Sequence, residues 1–325
     1  MSGNGTESTA DADWRRRQYE LPRTSTAGVG APTGSADRVF DPALKHFASG
    51  YRVADTVIDP AQRPAWQSAR RTALGVVARG VARSGWADCL VVRGSMLMAG
   101  WFGVAAREPH DLDFVVVPQD WNIEDPRTER LLTAVAEAAG RTAAEEGAGL
   151  VIRAGEAVAE DIWTYERVPG RRLVLPWSAP GLPGGQVQLD FVFNERLPEA
   201  PQPAEVAGAA LLGASPELSL AWKLVWLATD MYPHGKDLYD AVLLAERCAL
   251  PYGLLHRVFH ESGEWFPRAA GPGARVTPEA FAQIEYAEWE DFQTEYPGIP
   301  GSAESYANRL LRALAPTFAD PGHGL

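Results

Sequence analysis

The stretch Arg93–Val117, RGSMLMAGWFGVAAREPHDLDFVVV, decides the fold. Cys89 to Val92 ahead of it is a short apolar run, so the chain reads as a strand, a tight Gly94-Ser95 turn, and a helix through Met96, Leu97, Met98 and Ala99. At the other end His110 to Val117 alternates like a strand. Asp111, Asp113 and Val115 share one face, and Leu112, Phe114 and Val116 share the other. Two carboxylates therefore point the same way. Like charges so close are unfavourable without a cation, and magnesium prefers oxygen ligands of this kind together with substrate phosphates. The Gly-Ser turn at a helix start offers N–H groups and a hydroxyl that suit phosphate oxygens.

Working outward, VQLDFVF at 187–193 places Val187, Leu189, Phe191 and Phe193 on one face and Asp190 with Gln188 on the other. An acid inside such an apolar run needs a partner, because an uncompensated buried charge is very costly. A metal shared with Asp111 and Asp113 would supply one. Leu150 to Arg153 and Arg171 to Pro176 are two further strand-like segments. Helical spacing of Trp66, Ala69, Ala73, Val76, Val77 and Val81 predicts a helix between Pro60 and Arg83 with one buried face. Asp125-Pro126 and Ser215-Pro216-Glu217 are helix starts, with a capping side chain, a proline in the first turn and, in the second, an acid favoured by the dipole. The chain then turns helical. A helix from near Lys236 to Arg247, a helix start at Thr277-Pro278-Glu279 after a Gly271-Pro272-Gly273 loop, and a last helix over Ser302 to Leu314 follow.

At 325 residues, with 46% hydrophobic and 22% charged residues, the chain can bury a substantial core plus an appended unit. The expected class is α+β, a mixed sheet flanked by helices over 38–205 followed by a helical domain over 206–325. Residues 1–37, rich in Gly, Ser, Thr and Ala, read as a disordered tail, and the Arg15–Arg17 run within it as solvated charge. The net charge of -12, from 30 Lys+Arg against 42 Asp+Glu, opposes broad attraction to a phosphate backbone but leaves room for a small anion held by a metal. Two distant cysteines, Cys89 and Cys248, make neither a disulfide framework nor a zinc site. With a polar start and no long uncharged apolar stretch, a cytoplasmic location and no membrane insertion are expected.

Gly-Ser, a helix, Asp-x-Asp on a strand and a third acid on a neighbouring strand together resemble the polymerase-beta-like nucleotidyltransferase superfamily. More narrowly, Leu220-Ala221-Trp222-Lys223-Leu224 followed by Lys236-Asp237-Leu238-Tyr239-Asp240 is similar to the helical Lys and Asp motifs of the AbiEii/AbiGii toxin family. The resemblance covers roughly Val91 to Glu246. It implies magnesium-dependent transfer of NMP from an NTP, ATP among the candidates, to an acceptor that could be tRNA, protein or a small molecule. It further implies a toxin of a type IV-like toxin–antitoxin pair, with a cognate antitoxin as partner. In the family's terms Gly94 and Ser95 would hold the triphosphate, and Asp111 and Asp113 the magnesium. Asp190 would complete the site as ligand or base, Lys223 would approach the phosphates, and Asp237 would be the acid of the second helical motif. The 15 residues between Ser95 and Asp111 exceed the family's common spacing. An aminoglycoside-type nucleotidyltransferase would use the same three acids; a silent nucleotide-binding regulator is a further alternative, against which the presence of all three acids argues.

Several of these residues also have plainer readings. Lys223 could equally edge an apolar helix face, and Asp237 and Asp240, three apart at a helix start, suit capping. His110 is left out of the site as an ordinary strand-end residue. The aromatic residues Tyr286, Trp289, Phe292 and Tyr296 read as a packing stripe.

Overall fold

The computed structural model describes residues 38–41, 50–53, 56, 58–165, 168–263 and 274–319. The tail expected over 1–37, its arginine run and the Gly271-Pro272-Gly273 loop lie outside the described residues. A short antiparallel pair, β1 (Arg38–Phe40) and β2 (Tyr51–Val53), comes first. Helix α1 (Arg63–Arg83) buries Ala73, Val76, Val77 and Val81, as their spacing predicts.

The sheet is built outward from the deciding stretch. β3 (Leu90–Arg93) leads through Gly94 into α2 (Ser95–Phe102), and β4 (Asp111–Val116) returns antiparallel to β3. Helix α3 (Pro126–Glu145) is capped by Asp125, which accepts from the Arg127 N–H. Next come β5 (Val151–Ile152), β6 (Val158–Tyr165), β7 (Val168–Ser178) and β8 (Gly185–Val192). A last pair, β9 (Gln202–Val206) and β10 (Ala209–Gly213), closes the other edge. The strand order is β5-β7-β8-β4-β3-β10-β9, with β6 also on β7. β4 runs parallel to β8 and β3 to β10, while the other pairs are antiparallel, so the sheet is mixed.

Residues alternating with the acids make the core: Leu112, Phe114, Leu189 and Phe191 are fully buried, and the Phe114 and Phe191 rings stack at 5.4 Å. Helices α1 and α3 pack against each other, closely enough at Gly80 that a Cβ there would stand 2.6 Å from Ala139 Cα. Only glycine fits that contact.

Helix α4 (Pro216–Thr229) starts as expected, its Ser215 cap accepting from the Leu218 N–H at 3.0 Å. It packs on α5 (Gly235–Ala245) and on α6 (Tyr252–Ser262). Helices α7 (Trp289–Glu295) and α8 (Ala303–Ala319) complete the helical part. The start predicted at Thr277 opens only a short 3-10 turn over Pro278–Phe281. The sheet reaches past the expected boundary at residue 205, because β10 pairs onto β3 and β9 onto β10. Pro203 within β9 is tolerated because β9 is an edge strand, where a missing N–H breaks no central ladder. No helix among the described residues is long and apolar enough to cross a membrane.

Candidate active site

One cleft collects residues from both halves of the molecule. It is lined by Gly94, Asp111 and Asp113 from the sheet, by Lys223, Lys236 and Asp237 from the helices, and by Arg93, Arg107, Phe40 and Tyr296 among others. Gly94 has φ +75°, and a Cβ on it would meet Asp113 Oδ2 at 2.5 Å. Backbone conformation and space both require glycine there. Ser95 is buried, and its hydroxyl donates to Asp111 Oδ1 at 3.2 Å, so its side chain orients a carboxylate.

The parallel register sets Asp113 opposite Asp190 and Asp111 opposite Gln188, which puts all three acids on one side of the sheet. Their surroundings differ. Asp111 and Asp113 face the cleft. Burial, reinforced by the charge of Asp111, pushes the Asp113 carboxyl up to about 7. Asp190 is wholly buried, accepting from Arg172 Nε at 2.9 Å, Arg172 Nη2 at 3.0 Å and Gln188 Nε2 at 3.0 Å. Among the described residues no three His, Cys, Asp or Glu side chains form a ready metal cluster. The expected trio is thus split into an open pair and a third acid turned to an arginine. The physical reason is register: Arg172 on β7 stands directly opposite Asp190, and its bidentate guanidinium offsets part of a burial cost that still holds the Asp190 carboxyl above its ordinary value. The open pair still fits a hard divalent cation, since magnesium is commonly held by one or two carboxylates plus substrate phosphates.

On the helical side Lys223 Nζ lies 2.6 Å from Asp237 Oδ1 and 3.1 Å from Asp240 Oδ2. Against burial, which alone would lower it, the two acids hold the Lys223 ammonium above its ordinary value. Likewise, against burial, Lys223 and Lys236 hold Asp237 well below the usual carboxylate range. Asp240 is also gripped by Arg107, whose Nε lies 3.2 Å from both carboxylate oxygens and Nη2 3.1 Å from Oδ2. The capping reading of Asp237 and Asp240 is therefore overturned: both side chains turn into the protein to meet buried cations.

Sequence reasoning missed Arg172, Arg107, Arg93 and Lys236. A charged residue inside the strand run RRLVL was the available signal for Arg172, and Lys236 sat unassigned beside Asp237. Arg93 lies between the Trp222 and Trp226 rings, at 5.6 and 5.8 Å. His110 pairs with Glu295 at 3.0 Å on the cleft wall. The aromatic stripe divides. Trp289 and Phe292 are buried, Tyr286 is 74% exposed, and Tyr296 lines the cleft.

A mixed sheet carrying two cleft-facing aspartates beside a glycine turn, with lysines from an appended helical layer, defines a nucleotidyltransferase. Residues 76–314 match the family described as nucleotidyl transferase AbiEii toxin, Type IV TA system. The chain belongs to this family of nucleotidyltransferase toxins of type IV toxin–antitoxin systems. No curated protein matches it. Among solved structures, one described as "putative nucleotidyltransferase from H. pylori" aligns over 75% of this chain and 93% of its own, with 15% identity and a TM-score of 0.47.

Proposed function

We propose that the chain is a magnesium-dependent enzyme that moves a nucleoside monophosphate from an NTP to an acceptor in the cytoplasm, and that a cognate antitoxin restrains it. The observation that carries this reading is the meeting of Asp111 and Asp113 with Lys236, Arg93 and Arg107 in one cleft beside Gly94. Carboxylates for a divalent cation and cationic side chains for a triphosphate then line the same cleft. The acceptor oxygen forms a bond to the α-phosphorus, the bond to the bridging oxygen of the β-phosphate breaks, and pyrophosphate leaves with that electron pair. Held by Asp111 and Asp113, magnesium would offset charge building on the phosphate oxygens. Gly94 lets the Asp113 carboxylate sit directly against the turn, and Ser95 keeps Asp111 aligned. Asp190 adds negative charge from beneath the pair, held in place by Arg172. Lys223 and Asp237 act as a buried pair that sets α5 against α4 and so presents Lys236 to the phosphates.

The net charge of -12 favours a protein or small-molecule acceptor over tRNA. The sheet unit supplies the metal ligands together with Arg93 and Arg107, and the helical unit adds Lys236. Incubating the protein with each α-labelled NTP, magnesium, and in turn bulk tRNA, protein and small-molecule acceptors should give label transfer that disappears in Asp113→Ala. Equal labelling by both proteins would count against the proposal.

A further inference from the structure

The family match begins at residue 76, so the β1–β2 pair lies ahead of it. Two consecutive residues at the end of β1 nevertheless reach the site from opposite sides. Asp41 is buried and accepts from Arg172 Nη1 at 3.2 Å and Nη2 at 3.3 Å, the same guanidinium that grips Asp190. Phe40 lines the cleft, and its ring centroid lies 3.8 Å from Lys236 Nζ in the first turn of α5. The ring is fixed in turn. His234 packs edge-on to it at 4.7 Å, Tyr51 at 5.7 Å, and a Cβ on Gly50 would stand 2.9 Å from its Cε2. This strand end therefore ties the sheet to the helical layer across the cleft.

Lys236 has a weak hold elsewhere. Its Nζ lies 3.8 Å from Asp237 Oδ1, an oxygen that Lys223 already approaches to 2.6 Å. Burial pushes the Lys236 ammonium below its ordinary value, with Asp237 pulling the other way. An aromatic face so close attracts a desolvated ammonium through the ring quadrupole and favours its charged form. The ring face and the carboxylate together fix where this cation sits.

We propose that Phe40 is a positioning residue of the cleft, its ring face holding the Lys236 ammonium toward the triphosphate. The strand pair ahead of the family's matched region is on this account part of the working site. The triphosphate half of the statement rests on the function proposed above; the placement of Lys236 does not.

The test uses the full chain with Phe40→Leu, which keeps apolar bulk without the ring, and Phe40→Tyr, which keeps the ring. Acetylation of Lys236 by an N-hydroxysuccinimide ester, followed by mass spectrometry, should be about fivefold faster in the leucine variant and at the native rate in the tyrosine variant. Equal rates in all three proteins, or equal acceleration in both variants, would overturn the proposal. Calorimetric titration with a non-hydrolysable NTP analogue and manganese should show Kd raised about tenfold by leucine and restored by tyrosine. If the native protein binds no analogue while the acetylation pattern holds, the nucleotide reading fails and the placement of Lys236 stands. Native binding left unchanged by leucine overturns the positioning and spares the nucleotide reading. Should the leucine variant unfold, Phe40→Met is read by the same two measurements.

Discussion

Asp113 sits where burial and a neighbouring carboxylate act in the same direction, and its raised value near 7 turns that into a measurable cost. Between about pH 4, where the unfolded carboxyl ionises, and about pH 7 the folded chain keeps a proton that the unfolded chain has released. Stability of the cation-free protein from this group therefore falls as pH rises through that window. Asp113→Asn removes the cost. Its thermal midpoint without divalent ions at pH 8 is expected to rise by about 2–4 °C, the shift for roughly one kcal/mol in a large domain. The same variant should lose label transfer. A lower midpoint would show that Asp113 is compensated in some other way. Asp111 and Asp113 were legible as a pair because strand alternation alone puts i and i+2 on one face. That Asp190 would turn to Arg172 was not, since it depends on which strand lies next to β8 and in what register, and both are tertiary facts.

The α4–α5 contact is organised by Lys223 between Asp237 and Asp240, with Arg107 closing the other side of Asp240. Lys223→Met leaves buried Asp237 with only the more distant Lys236, 3.8 Å away, and Asp240 with only Arg107, and should cost roughly 3 kcal/mol in urea unfolding. Adding Asp237→Leu should return much of that loss, because replacing both partners with apolar groups removes the stranded charge. A double variant no more stable than the single one would mean that the pair does not act as a unit. The Asp237 carboxyl, held low, contributes stability above its unfolded value near pH 4 that is lost as pH falls below it. The acid limb of the unfolding curve should therefore flatten in the double variant. Helices α1, α3 and α4 were readable from capping residues and apolar spacing. Strands β6 and β9 were not, because VAEDIWTY carries two adjacent acids and QPAEV a proline, both features of edges. Helix α6 escaped as well, since YGLLHRVFHES follows a loop with no side-chain cap to announce it.

At the scale of the whole chain two layers meet: the sheet brings carboxylates and the helices bring lysines to one cleft. The family's motifs named candidate residues, while their pairing came only with the fold. Lys223 and Asp237 turned out to bind each other, and Phe40 and Asp41, far from any motif, reach the same place. A β-strand reports its own two faces in sequence, but not what another element lays across them. The account stands on a divalent cation held between Asp111 and Asp113. Manganese titration followed by electron paramagnetic resonance, in the presence of a non-hydrolysable NTP analogue, reads that cation directly. The native protein should take up manganese in a site lost in both Asp111→Asn and Asp113→Asn; undiminished uptake by the two variants would contradict the account.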